Sequence, residues 1–91
     1  MYNCVVINPN DTAGTLTTDV LAGDTVNYNI NGNDYCLIAE DNIKIFHKIA
    51  LKDIKKGDII IKYGCKIGYA TKDIKKGEHI HTQNLDSKMT N

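Results

Sequence analysis

The 91-residue chain is short even for one domain, 42% hydrophobic and 24% charged, with a single proline and six aromatic residues, five of them tyrosine. That composition describes a globular chain rather than a disordered one, and so small a domain buries too little surface for a self-contained enzyme with a deep pocket. Net charge is zero, yet residues 1–43 hold six acids and no lysine while residues 44–91 hold all eleven lysines and five acids, an asymmetry that can steer an anionic ligand or orient the domain on a charged partner.

The plain alternative for the lysines is a solvated surface balanced by neighbouring acids. Arginine is absent, and the tyrosines do not interleave with a basic stripe, so nucleic acid is not an expected partner. Cys4, Cys36 and Cys65 form no C-x-x-C pair, which argues against zinc or a redox dithiol. Cys4 lies in an apolar run and Cys36 beside Leu37 and Ile38, so both are expected as small buried hydrophobes. The N-terminus has no basic segment followed by an apolar core, and no run reaches membrane-spanning length; the expected location is the cytosol, with no membrane contact.

Along the chain the apolar pattern has period two. In "TVNYNI", Val26, Tyr28 and Ile30 alternate with asparagines, as on a half-buried strand. The runs "DYCLIA" and "DIIIKY" are short, β-branched or aromatic, and bounded by glycine or charge, which also reads as strand. Glycines at 14, 23, 32, 57, 64, 68 and 77 interrupt the chain too often for long helices. A compact, mainly β fold with few or no long helices is expected, as a single domain over residues 1–91.

A cassette recurs: "TTDVLAGD" (17–24), "LKDIKKGD" (51–58) and "TKDIKKGE" (71–78) share Asp, an aliphatic residue, two variable positions, Gly and an acid. The aspartate is suited to hydrogen-bond forward to backbone N–H groups, the aliphatic residue to enter the core, and the glycine to take a positive φ. Three copies without a steady period suit a pseudo-symmetric β fold rather than a solenoid.

Two places can carry chemistry. His79 and His81 flank Ile80, so on an extended strand both imidazoles share one face, a chelating arrangement for zinc, iron or a similar ion that needs further ligands. Thr82, Gln83 and Asn84 follow as hydrogen-bonding groups suited to a polyhydroxylated ligand. Earlier, His47 and Lys48 open "HKIALKDI"; neighbours on a strand point to opposite faces, so only one of them can face a pocket. Histidine there suits acid–base work and lysine the holding of a carboxylate. The bland readings are surface histidines at a strand end and an ordinary strand start. Signatures of phosphate cradles, α/β-hydrolase nucleophiles and zincins are missing.

Taken together, "HKIALKDIKKGDIIIKYGCKIGYATKDIKKGEHIHTQNL" (47–85) closely resembles the N-terminal domain of the altronate and galactarate dehydratase family, with its G-H-K-I-A-L, D-I-x-x-G-[DE], I-K-Y-G-x-x-I-G-x-A-T and G-E-H-V-H-T-H-N-L segments. The resemblance implies an SAF fold, a β-clip of short, bent strands, with the D-I-x-x-G-[DE] turn as its signature. It further implies a free-standing small subunit of a metal-dependent hydro-lyase that removes water from a sugar acid such as altronate. Implied partners are a large catalytic subunit that holds most of the divalent metal, such as iron, and an anionic sugar acid; a homo-oligomer is a further arrangement. On this reading His47, Lys48, His79 and His81 are catalytic, His79 and His81 touch the metal, and Thr82, Gln83 and Asn84 bind substrate. The alternatives are the small subunit of a sulfolactate sulfo-lyase and a non-catalytic module that binds a sugar acid or another protein. Two positions depart from the family pattern: Phe46 stands where a glycine is expected, and Gln83 replaces a histidine, keeping hydrogen bonding without acid–base capacity.

Overall fold

The computed structural model describes residues 1–87 and shows no helix among them. Nine short strands follow one another: β1 (Cys4–Val5), β2 (Ala13–Leu16), β3 (Thr25–Ile30), β4 (Asn33–Ile38), β5 (Lys48–Ala50), β6 (Ile59–Lys62), β7 (Cys65–Ala70), β8 (His79–Ile80) and β9 (Leu85–Asp86). They form a central sheet in the order β1-β2-β5-β8, a β3-β4 hairpin and a β6-β7-β9 sheet, with every pairing antiparallel. The mainly β architecture of short strands is the one expected, and it is consistent with a β-clip.

The recurring cassette builds the frame, and the structure contains a fourth copy that its residues conceal. Residues 42–47, Asn-Ile-Lys-Ile-Phe-His, make the same turn as 19–24, 53–58 and 73–78. In each copy the fifth residue donates its N–H to a distant carbonyl: Gly23 to Ala39, Phe46 to Leu16, Gly57 to Ala70 and Gly77 to Ala50, at 2.8–2.9 Å. Phe46 occupies the glycine place with φ 71, a conformation that costs a residue with a Cβ about 1–2 kcal/mol, and its ring is 73% exposed.

The turns associate in pairs. Val20 bridges Ile43, and Ile54 bridges Ile74, burying an aliphatic side chain from each turn. The opening aspartates do not hydrogen-bond forward within their own turns, as the sequence suggested; they reach across the pair. Asp53 accepts from the Lys76 N–H and Asp73 from that of Lys56, both at 2.9 Å, and Asp19 and Asn42 do the same for Ile45 and Ala22. The closing acids cap their own turns instead, Asp24 at Leu21, Asp58 at Lys55 and Glu78 at Lys75. The lopsided charge maps onto these pairs: one has apolar tips at Leu21, Ile45 and Phe46, and the other presents Lys55, Lys56, Lys75 and Lys76, all exposed.

Pleat alternation divides the central sheet between two cores. Cys4, Leu16 and Ile49 face the β3-β4 hairpin, packing with Val26, Tyr28 and Leu37. Ala13, Ala50 and Ile80 face the other way, toward Ile60, Ala70 and Ile74. Complete burial of an aliphatic side chain such as Ile49, Ile60 or Ile80 contributes about 1.5–3 kcal/mol. Asp11, only 3% exposed, ties the first loop to the β6-β7 hairpin by accepting N–H groups from Ile7, Asn8 and Gly64 at 3.3, 3.1 and 2.7 Å. Cys4 is buried as expected, but Cys36 is exposed: its neighbour Leu37 enters the core, so strand alternation turns Cys36 outward.

Candidate functional site

β8 is an outer strand of the central sheet, and its side-chain alternation decides what meets at that edge. Ile49 pairs with His79 and Lys48 with Ile80; directly opposed residues share a face. His79 therefore lies on the Ile49 side, and Lys48 on the opposite one with Ile80 and Thr15. The fourth turn delivers His47 just before β5, where the other three turns carry a capping carboxylate. An imidazole in that place leaves the cap and reaches His79: His47 Nδ1 lies 2.9 Å from His79 Nε2.

His81 completes the group, although it falls just beyond the two-residue strand β8. Ring centroids are separated by 5.1 Å for His47 and His79, 5.0 Å for His47 and His81, and 5.5 Å for His79 and His81. One nitrogen from each imidazole lies within 4.8 Å of the others. Partial burial, then the proximity of His47 and His81, holds the His79 pKa below the ordinary imidazole value of 6.5, which favours the neutral ring with a lone pair to offer. Three imidazoles, two half-buried and one exposed, with one nitrogen of each within 4.8 Å of the others, fit a divalent ion of the zinc or iron type. The residues present therefore suit the metal that the sequence resemblance implies.

The turn after β8 braces this arrangement. Asn84, 5% exposed, donates from Nδ2 to the His79 carbonyl at 2.8 Å and accepts the His81 N–H at 2.9 Å. Both polar atoms of that side chain thus engage backbone. Gln83 is exposed, donates to the His79 carbonyl at 3.3 Å, and places Nε2 3.5 Å from His79 Nδ1. Thr82 is exposed on the same turn. Lys48 stands apart: burial first, then nearby Lys62, pushes its pKa down, and the sheet separates it from the imidazole face.

Sequence reading missed Asp41, whose Oδ2 accepts the His79 N–H at 2.9 Å. It also missed a polar cleft of about 280 Å³ opening beside His79, with Asp41, Asp73, Glu78, Lys72 and Gln83 on its walls. The available signal was Ile43, which aligns "NIKIFH" with "DIKKGD"; the substituted glycine and acid hid it.

Against known proteins, the family model for the altronate/galactarate dehydratase SAF domain matches residues 2–88. Altronate dehydratase of Bacillus subtilis is 51% identical over 51 residues, which cover 56% of this chain and 10% of that one. The (2R)-sulfolactate sulfo-lyase subunit alpha of Chromohalobacter salexigens is 33% identical over 87 residues, covering 92% of this chain and 93% of the other. That of Paracoccus pantotrophus is 43% identical over 58 residues, covering 64% and 87%. The chain thus spans about a tenth of the altronate dehydratase and nearly the whole of the Chromohalobacter subunit. With its paired turns and mainly β sheets, it belongs to the altronate/galactarate dehydratase SAF domain family.

Proposed function

We propose that the chain is the small subunit of a metal-dependent lyase that eliminates water from a hydroxylated carboxylic acid, working with a separate large catalytic subunit. The observation that carries this reading is the convergence of His47, His79 and His81 at an outer strand, where a partner's cleft can close over them. His47, His79 and His81 would hold a divalent metal together with groups of the partner. The ion's chemistry would be to bind the acid's carboxylate and hydroxyl, making the neighbouring C–H more acidic. Asn84 and Asp41 fix the backbone on either side of His79 and so orient its ring. Thr82 and Gln83 sit where substrate hydroxyls would approach, and closure of the domain would exclude water. Lys48 lies on the other face of the strand, opposite Ile80.

A second reading, the alpha subunit of a sulfo-lyase, is favoured by the near-complete coverage of the Chromohalobacter protein; it keeps the same histidines and changes the leaving group to sulfite. The test has two parts. Cobalt(II) titration of the chain alone should give an absorption spectrum that is lost in His47→Ala, His79→Ala and His81→Ala. Mixing with the candidate large subunit and Fe(II), followed by assays for dehydration and sulfite release, should give turnover only in the mixture. Equal turnover with and without this chain would overturn the lyase role and leave a binding or interaction module.

A further inference from the structure

The family description covers acids of two charge types: altronate has one carboxylate and galactarate one at each end. The cleft beside His79 is lined by groups that bear on that difference. Asp41, Asp73 and Glu78 each commit one oxygen to a backbone N–H, at His79, Lys56 and Lys75 respectively. The second oxygen of each has no hydrogen-bond partner among the described residues. Against these three carboxylates the cleft wall presents one ammonium, Lys72, and the neutral amide of Gln83.

A hydroxylated tail leaving the histidines along this cleft would meet acceptors for its O–H groups and a donor in Gln83. A second carboxylate in the same place would meet net negative charge within a few ångströms, where like charges repel and each must also shed water. We infer that this cleft makes the site selective for sugar monoacids over diacids. The inference rests on the water-eliminating reading alone, with the reacting carboxylate at the histidines and the hydroxylated tail leaving past Gln83; the sulfo-lyase reading, whose substrate carries two anionic groups, lies outside it.

Asp73→Asn with Glu78→Gln tests it. Both replacements keep an acceptor for the backbone N–H, and Asn42 already plays the Asp73 part in the fourth turn. In the complex with the large subunit, kcat/KM for altronate should exceed that for galactarate. The double variant should raise the ratio of galactarate to altronate kcat/KM about tenfold, and salt should shrink the gap. An unchanged ratio in the variant, or a wild-type preference for galactarate, would overturn the inference. Amide NMR of the full chain supplies a readout independent of turnover: altronate should shift the His79 and Gln83 signals at lower concentration than galactarate. Shifts in the opposite order, or none with either acid, would overturn the selectivity. Shifts in the expected order without turnover by the complex would uphold the selective cleft and overturn the lyase reading alone.

Discussion

Gly57 and Gly77 occupy the same place in two paired turns, with φ of 91° and 92°, and each donates its N–H to a strand carbonyl at 2.8 and 2.9 Å. They differ in what surrounds them. A methyl group at Gly57 has nothing within 4 Å, whereas one at Gly77 would overlap the Ile38 carbonyl oxygen and press on Glu40 Cγ at 3.1 Å and Glu40 N at 3.3 Å. Gly57→Ala therefore carries the backbone cost alone, about 1–2 kcal/mol, reduced by about 0.4–1 kcal/mol because alanine restricts the unfolded chain. The expected loss is about 1 kcal/mol. Gly77→Ala adds overpacking of about 1–3 kcal/mol. It also threatens the 2.8 Å bond from Glu40 N–H to the Gly77 carbonyl, worth about 1 kcal/mol. Its total should exceed 3 kcal/mol. At about 4–8 °C per kcal/mol for a chain of this size, the two melting temperatures should differ by about 10 °C or more. Urea denaturation followed by circular dichroism measures both variants under one protocol. Losses equal within about 0.5 kcal/mol would refute the steric argument, since that is close to the error of additivity itself.

Three further outcomes are expected. The Thr15 hydroxyl is buried without a hydrogen-bond partner among the described residues, so Thr15→Val should stabilise the chain by about 1 kcal/mol; a loss in urea melts would contradict this. Asp11→Ala should cost about 3 kcal/mol, because it strands three backbone N–H donors that meet a carboxylate, whereas a change below about 0.5 kcal/mol would mean that solvent replaces those bonds freely. For the metal-free chain, a lowered His79 pKa means that the unfolded state takes up protons first as pH falls. That contribution is present above the unfolded value of about 6.5 and is lost as pH drops through the folded one. His79→Gln should flatten the decline in stability on that acidic side, and an unchanged slope in pH-dependent melts would assign the proton uptake elsewhere.

Strands and site were legible to different degrees. "TVNYNI" announced β3 because a strand with a buried face leaves a period of two in the residues, and "DIIIKY" announced β6 as a short β-branched run bounded by glycine and charge. The three D-[IV]-x-x-G-[DE] turns were equally plain, since glycine at positive φ and a capping acid are local requirements. Cys36 was misplaced because an apolar neighbourhood in sequence does not say which face of a strand a residue occupies. The fourth turn escaped notice because its frame is held by backbone bonds that accept Phe46 and His47 in place of glycine and acid.

By itself, then, the sequence determined the local conformations: short strands, tight turns, and His79 and His81 spaced for one face. Tertiary structure decided which turns pair, and through them everything at the site. His47 meets His79 across 32 residues of chain only because the fourth turn docks on the first and leads directly into β5. Strand alternation turns Lys48 to the opposite face, and the β5–β8 register brings Asp73 and Glu78 of the third turn near Asp41 around a single cleft. Such proximity arises from strand order and register, which depend on how two cores close on either side of one sheet, and no spacing within a short motif encodes that.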